Sequence, residues 1–170
     1  QSDKIDYAAN GKITQAAAEE GIVLLKNERN LLPIAKNVKN IIIIGGHADK
    51  GVLSGGGSSQ VYPVGGMAVP NEGPSEFPGP MVFYPSSPMK ELQKLTKAQI
   101  TYYDGKDLSK AAELAKKADL AIVFGNQWTG ESVDVTNLNL QNNADALIDK
   151  VASNNANTIV VLQTGGPIIM

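Results

Sequence analysis

The stretch Val38-Lys-Asn-Ile-Ile-Ile-Ile-Gly-Gly46 sets four isoleucines in a row and stops them with two glycines. A strand with one wet face alternates apolar and polar residues. An unbroken β-branched run predicts a strand covered on both faces, the habit of a parallel sheet flanked by helices.

The flanking sequence agrees with a parallel sheet. Upstream, Ile13, Ala16, Ala17, Leu24 and Leu25 recur at helical spacing and predict an amphipathic helix over residues 13–27, ended by Asn27 and the Leu32-Pro33 step. Downstream, Ser87 is placed to cap a short helix that starts at Pro88 and carries Met89, Leu92 and Leu95. A strand over 99–103, a helix over 108–117, a strand over 119–124, a helix over 145–151 and a strand over 158–162 follow in alternation, with no internal repeat. Alternation of this kind predicts an α/β fold: a doubly wound, mostly parallel sheet in a three-layer αβα sandwich of flavodoxin-like form. Ligands in such sheets bind beyond the carboxyl ends of the strands, here the loops after Ile44, Tyr103, Phe124 and Leu162.

Composition narrows the function classes. The chain has 170 residues, enough for one full-sized domain, and 15 basic against 17 acidic residues with no basic cluster argue against a nucleic-acid partner. No apolar run approaches the roughly 20 residues that cross a bilayer. There is no cysteine, so disulfides, thiolate catalysis and cysteine-ligated metals are excluded while the compartment stays open. The chain begins without Met and stops just after a Gly-Gly-Pro turn, and is expected to be a fragment of a longer protein, its α/β domain lacking its last elements.

Two loops carry unusual composition. Residues 45–66 hold eight of the 17 glycines, which lets backbone come close to a ligand. A phosphate cradle is disfavoured: no helix signal follows promptly, no Gly-Lys-Ser/Thr closes the loop, and the G-x-G-x-x-G spacing with a later acidic residue is unmet. His47, the one histidine, has no second histidine or cysteine to share a metal with, so a structural hydrogen-bonding role is expected and no metal or other cofactor. Asp49 suits a turn or a sugar hydroxyl equally. The second loop, Gly125-Asn-Gln-Trp-Thr-Gly-Glu-Ser-Val-Asp134, sets an aromatic, amides and two carboxylates just past a buried strand, a composition that suits carbohydrate. Glu131 and Asp134 equally suit a turn cap or a solvated surface. Their spacing does not assign both carboxylates of a glycosidase to this loop, because a retaining pair needs a separation of ~5–5.5 Å that neighbouring loop residues do not fix.

In order along the chain, Glu20-Gly-Ile-Val-Leu-Leu-Lys-Asn-Glu-Arg-Asn-Leu-Leu-Pro33, Ile44-Gly-Gly-His-Ala-Asp49, Gly55-Gly-Gly-Ser-Ser-Gln-Val61, Tyr84-Pro-Ser-Ser-Pro88, Phe124-Gly-Asn-Gln-Trp-Thr-Gly-Glu-Ser-Val-Asp-Val-Thr-Asn-Leu-Asn-Leu140 and Asn157-Thr-Ile-Val-Val-Leu-Gln-Thr-Gly-Gly-Pro167 resemble the C-terminal α/β domain of glycoside hydrolase family 3. Each piece is weak alone and the ordered set is specific. Three positions depart from the family pattern: Ser132 where glycine is usual, Val135 where arginine is common and Gln141 where proline is common.

The resemblance implies a retaining, exo-acting β-glycosidase, most simply a β-glucosidase acting on a β-linked oligosaccharide or glucoside. It implies a partner, an N-terminal (β/α)8 barrel of the same protein that is absent from this chain and carries the aspartate nucleophile. Glu131 stands at the position of the general acid/base. Ser58, Ser59, Gln60 and Trp128 are expected at the leaving-group side of the sugar, with Asp134 as a supporting hydrogen-bond partner. By itself the chain is expected to be inactive and, with its last strand uncovered, less stable or prone to associate. Xylosidase and exo-glucanase activities stay open, N-acetylhexosaminidase is disfavoured, and a periplasmic or extracellular location is implied for the whole protein. A non-catalytic carbohydrate-binding or regulatory module is the competing expectation, and a flavodoxin-like nucleotide binder a third.

Overall fold

The structure is a computed structural model that describes residues 4–169. The chain divides into two compact units at Pro33/Ile34. The first holds helix α1 (Tyr7–Gly21), capped by Asp6, whose side chain accepts from the Ala9 amide at 3.0 Å. This helix starts and ends six residues earlier than the apolar spacing predicts. None of its residues is buried, so the periodicity had no packed face to report, and the chain turns extended at Ile22 directly after Gly21. Beyond it, Asn27 brackets Leu32 with both ends of its amide, accepting from its N–H and donating to its carbonyl.

The second unit is the α/β sandwich. Its elements in order are β1 (Asn40–Ile44), β2 (Val52–Leu53), β3 (Phe83–Tyr84), α2 (Pro88–Leu95), β4 (Gln99–Tyr103), α3 (Leu108–Lys117), β5 (Leu120–Gln127), α4 (Ala144–Ala152) and β6 (Thr158–Thr164), with a 3-10 turn at Gln141–Asn143 before α4. The main sheet is parallel throughout, in the order β4-β1-β5-β6. Ile41 to Ile44 stand opposite Ile100 to Tyr103 on one side and Leu120 to Val123 on the other.

The four isoleucines divide between the two faces, as the pleat requires. Ile42 and Ile44 pack with Ala121 and Val123 against Ala111 and Ala115 of α3 and Leu147 and Val151 of α4. Ile41 and Ile43 pack with Leu120, Ile122 and Phe124 on the opposite face, where Met89 and Leu92 of α2 close the layer. Full burial of each isoleucine side chain contributes about 1.5–3 kcal/mol. The expected doubly wound, three-layer α/β arrangement is therefore present.

Two features depart from the sequence expectation. β5 runs three residues past Phe124 because its ladder with β6 continues to Gln127 opposite Thr164, carrying the polar Asn126 and Gln127 into the interior. The long connection over 45–84 contains the antiparallel pair β2 and β3, with Val52 opposite Tyr84 and Leu53 opposite Phe83. Ser87 caps α2 as predicted, accepting from the Lys90 amide at 3.2 Å, and its hydroxyl also donates to the Ala48 carbonyl at 3.0 Å. That second bond fastens the start of α2 to the turn leaving β1.

Candidate functional site

The segment after β2 and the loop after β5 meet at the carboxyl end of the sheet. Gly56 pairs with Gly130 as an isolated parallel bridge: its N–H donates to the Thr129 carbonyl at 2.9 Å, and its own carbonyl accepts from the Glu131 N–H at 3.1 Å. These two bonds lay the glycine-rich segment alongside the 128–134 loop. Between them lies an open groove of about 500 Å³, floored by Gly55, Gly56 and Gly130 and bordered by Ser58, Gln60 and Glu131.

Glu131 is the carboxylate on this groove. Its Oε2 accepts two hydrogen bonds from one residue, the Ser58 N–H at 2.7 Å and the Ser58 hydroxyl. Gly57 makes the approach feasible. It has φ +115°, and a Cβ there would run into the Glu131 Cβ and sit 2.9 Å from Oε2. The Ser58 hydroxyl first, and the Ser58 amide second, hold the Glu131 carboxyl below the usual carboxylate range. The side chain is otherwise open to solvent.

The other expected contacts divide. Ser58, Ser59 and Gln60 all border the groove. Gln60 donates to the Pro80 carbonyl at 3.1 Å, which ties the wall to the distal part of the long connection. Asp134 is exposed and outside the groove lining. Trp128 is not brought to the groove surface. It is only 7% exposed, and its ring lies beneath the two facing glycines, where a Cβ on Gly56 would come within 2.5 Å of it and one on Gly130 within 3.0 Å. The indole supports the groove floor from below, and its Nε1 has no hydrogen-bond partner among the described residues.

The sequence reading missed Tyr84 and Thr129, which also line the groove. Tyr84 donates its hydroxyl to the Val61 carbonyl at 2.6 Å and so braces the wall from β3. The signal for it, an aromatic in a short apolar run before Pro85, was too brief to be assigned to a strand. Two of the departures from the family pattern acquire local explanations. Ser132 adopts φ 61°, the left-handed conformation in which glycine is the natural occupant. Gln141 uses its side-chain amide as a strand partner for Trp128, accepting from its N–H at 2.9 Å and donating to its carbonyl at 3.4 Å. Nothing in the structure explains Val135.

His47 has a structural setting: Nε2 meets Glu72 Oε1 at 2.8 Å, and the ring stands edge-on to Phe83 with centroids 4.9 Å apart. Asp49 faces Tyr102, whose hydroxyl is pushed well above its ordinary range by burial and then by the Asp49 charge. Among the described residues no three histidine or acidic side chains gather as a metal site, and no helix is long and apolar enough to cross a membrane.

The site thus belongs to a parallel α/β domain with a glycine-walled carboxylate at its carboxyl end, and comparison with known proteins identifies the class of domain. The glycosyl hydrolase family 3 C-terminal domain matches residues 22–170, and the chain belongs to that family. It is similar to thermostable β-glucosidase B of Acetivibrio thermocellus, 30% identical over 185 aligned positions that take in 100% of this chain and 22% of that protein. It is likewise similar to β-glucosidase 1 of Saccharomycopsis fibuligera, 32% identical over 89% of this chain and 18% of that one. The crystal structure of β-glucosidase D2-BGL from Chaetomella raphigera superimposes with a TM-score of 0.70 at 28% identity, over 95% of this chain and 24% of that one. A β-glucosidase from Streptomyces venezuelae shares the fold with a TM-score of 0.77 at 21% identity. The chain thus spans about a fifth of the length of the curated relatives it matches.

Proposed function

We propose that this chain forms the greater part of the domain that supplies the general acid/base to a retaining, exo-acting β-glycosidase, with Glu131 in that role and a terminal β-D-glucosyl residue as substrate. The observation that carries the reading is the Glu131 carboxylate on an open, glycine-walled groove at the carboxyl end of the central strand pair, in a chain of this family. The relatives' names supply the sugar.

The nucleophile in this reading is an aspartate on a barrel domain of the same protein, facing the groove. In the first step that aspartate attacks the anomeric carbon as the glycosidic bond breaks, and Glu131 gives its proton to the departing oxygen. In the second, Glu131, now ionised, takes a proton from water as the water oxygen bonds the anomeric carbon and the aspartate leaves. Ser59 and Gln60 would contact the leaving-group side, with Asp134 as a more distant support. The two Ser58 bonds suit the second step, which needs a carboxylate. The first needs a raised pKa, and removal from water together with the charge of the nucleophile would provide it when the barrel closes the groove.

The test is turnover of two aryl β-glucosides, one with a good and one with a poor leaving group, by the full-length protein and its Glu131→Ala variant. A far larger loss on the poor leaving group, with azide rescuing the good one, is expected of the acid/base. Unchanged turnover of both would leave Glu131 a non-catalytic sugar contact.

A further inference from the structure

We propose that Ser58 is the positioning residue of Glu131: its amide and hydroxyl together hold Oε2, which leaves Oε1 as the oxygen that gives and takes the proton. The inference rests on the acid/base reading of Glu131 and deepens it. With its hydroxyl hydrogen committed to Glu131, Ser58 can meet a sugar hydroxyl only as an acceptor.

The geometry carries the argument. A carboxylate has two equivalent oxygens and, on an exposed loop, rotates to present either. Here both donors of one residue converge on Oε2, and Oε1 has no hydrogen-bond partner among the described residues. The convergence is built by backbone outside the side chains concerned: the Gly56 and Gly130 bridge sets the spacing of the two segments, and Gly57 at φ +115° turns the Ser58 N–H toward the carboxylate. The same two bonds persist when the proton sits on Oε1, since Oε2 is then the carbonyl oxygen and still accepts. Ser58 therefore fixes the direction of transfer through both halves of the reaction. It also favours the ionised form over the protonated one, which opposes the leaving-group step; in the water-activating step Glu131 is already ionised, and the hydroxyl contributes by orienting Oε1 toward the water. The other titratable side chain lining the groove is Tyr84, whose hydroxyl is spent on the Val61 carbonyl.

The test uses the full-length protein with Ser58→Ala, Ser58→Thr and Glu131→Ala. In Ser58→Ala the amide bond remains and the hydroxyl is lost. The alkaline limb of kcat/KM for a poor-leaving-group glucoside should move to higher pH, and kcat for a substrate limited by hydrolysis of the intermediate should fall about tenfold. Ser58→Thr, which keeps the hydroxyl, should restore both. An alkaline limb and a kcat identical to wild type in Ser58→Ala would overturn the inference, as would equal loss in the alanine and threonine variants at unchanged pH profile. Glu131→Ala separates this failure from failure of the underlying reading: leaving-group dependence and azide rescue there, with a silent Ser58→Ala, would sink the role of Ser58 alone. Should Ser58→Ala fold poorly, Ser58→Gly likewise keeps the amide and lacks the hydroxyl, and carbon-13 NMR of the Glu131 carboxyl decides it: the carboxyl should titrate higher in Ser58→Gly than in wild type, and an unchanged titration contradicts the clamp.

Discussion

Two exposed carboxylates, at opposite ends of the same sheet, are held in nearly the same way. Asp119, just before β5, accepts with Oδ2 from the Lys39 N–H at 3.0 Å and the Asn40 N–H at 2.8 Å. Glu131, just after β5, accepts with Oε2 from the Ser58 N–H and hydroxyl. Both are held below the usual carboxylate range by those bonds. Local chemistry therefore does not separate a structural acid from a candidate catalytic one. The surroundings do: Asp119 closes the amino edge, where it joins the first residues of two neighbouring strands, whereas Glu131 lies at the carboxyl edge, on a groove walled by glycines.

The contrast breaks most visibly in activity. Glu131→Gln in the full-length protein keeps an acceptor for Ser58 and loses the proton, so kcat on a poor leaving group should fall about 10²–10⁴-fold while thermal unfolding stays near wild type. A parallel collapse of stability would place Glu131 with Asp119. Next in size is Gly57→Ala, which must force a side chain into φ +115° and against Glu131. Backbone strain of this kind costs of order 1–3 kcal/mol, and turnover should drop with Tm. Loss of neither would mean that the groove wall yields freely.

Asp119→Asn should do the reverse of Glu131→Gln, lowering Tm at neutral pH with kcat/KM unchanged. Because the folded-state pKa of Asp119 is depressed, its contribution is present above the unfolded-state pKa and fades as pH falls through the folded one. Melting curves of wild type and variant should therefore converge in acid, and a constant gap at every pH would contradict the assignment. The smallest effect belongs to Ser132→Gly. Glycine relieves the left-handed φ of 61° but adds freedom to the unfolded chain. A gain of no more than about 1 kcal/mol is expected, and a measurable loss would show that the serine side chain holds the loop.

The scaffold was legible because its signals are local. The isoleucine run, the Ser87-Pro88 start and the alanine-lined helix before Ala118 each announce one element within a few residues. Where no packed face exists, as along α1, apolar spacing had nothing to track and its boundaries slipped. The site was legible as two loops but not as a contact. Ser58 and Glu131 are 73 residues apart, and only the pairing of Gly56 with Gly130 brings them together. Trp128 was misleading for a related reason. An indole in a polar loop suits stacking on a sugar, and only the third dimension reveals that two glycines lie over its ring.

Four identical residues in β1 have a consequence of their own. Sliding that strand by one place would replace isoleucine by isoleucine at three of its four core positions, so the core reads the slipped and the native chain almost alike. The information that stops the slide must come from the ends. At one end the Asn40 side-chain amide donates to Asp119 at 3.4 Å, and at the other Gly45 holds φ +82° where a Cβ would come within 2.8 Å of the Phe124 carbonyl oxygen. The hydrophobic centre of this domain acts as an unmarked ruler, and the residues at its two tips supply the zero.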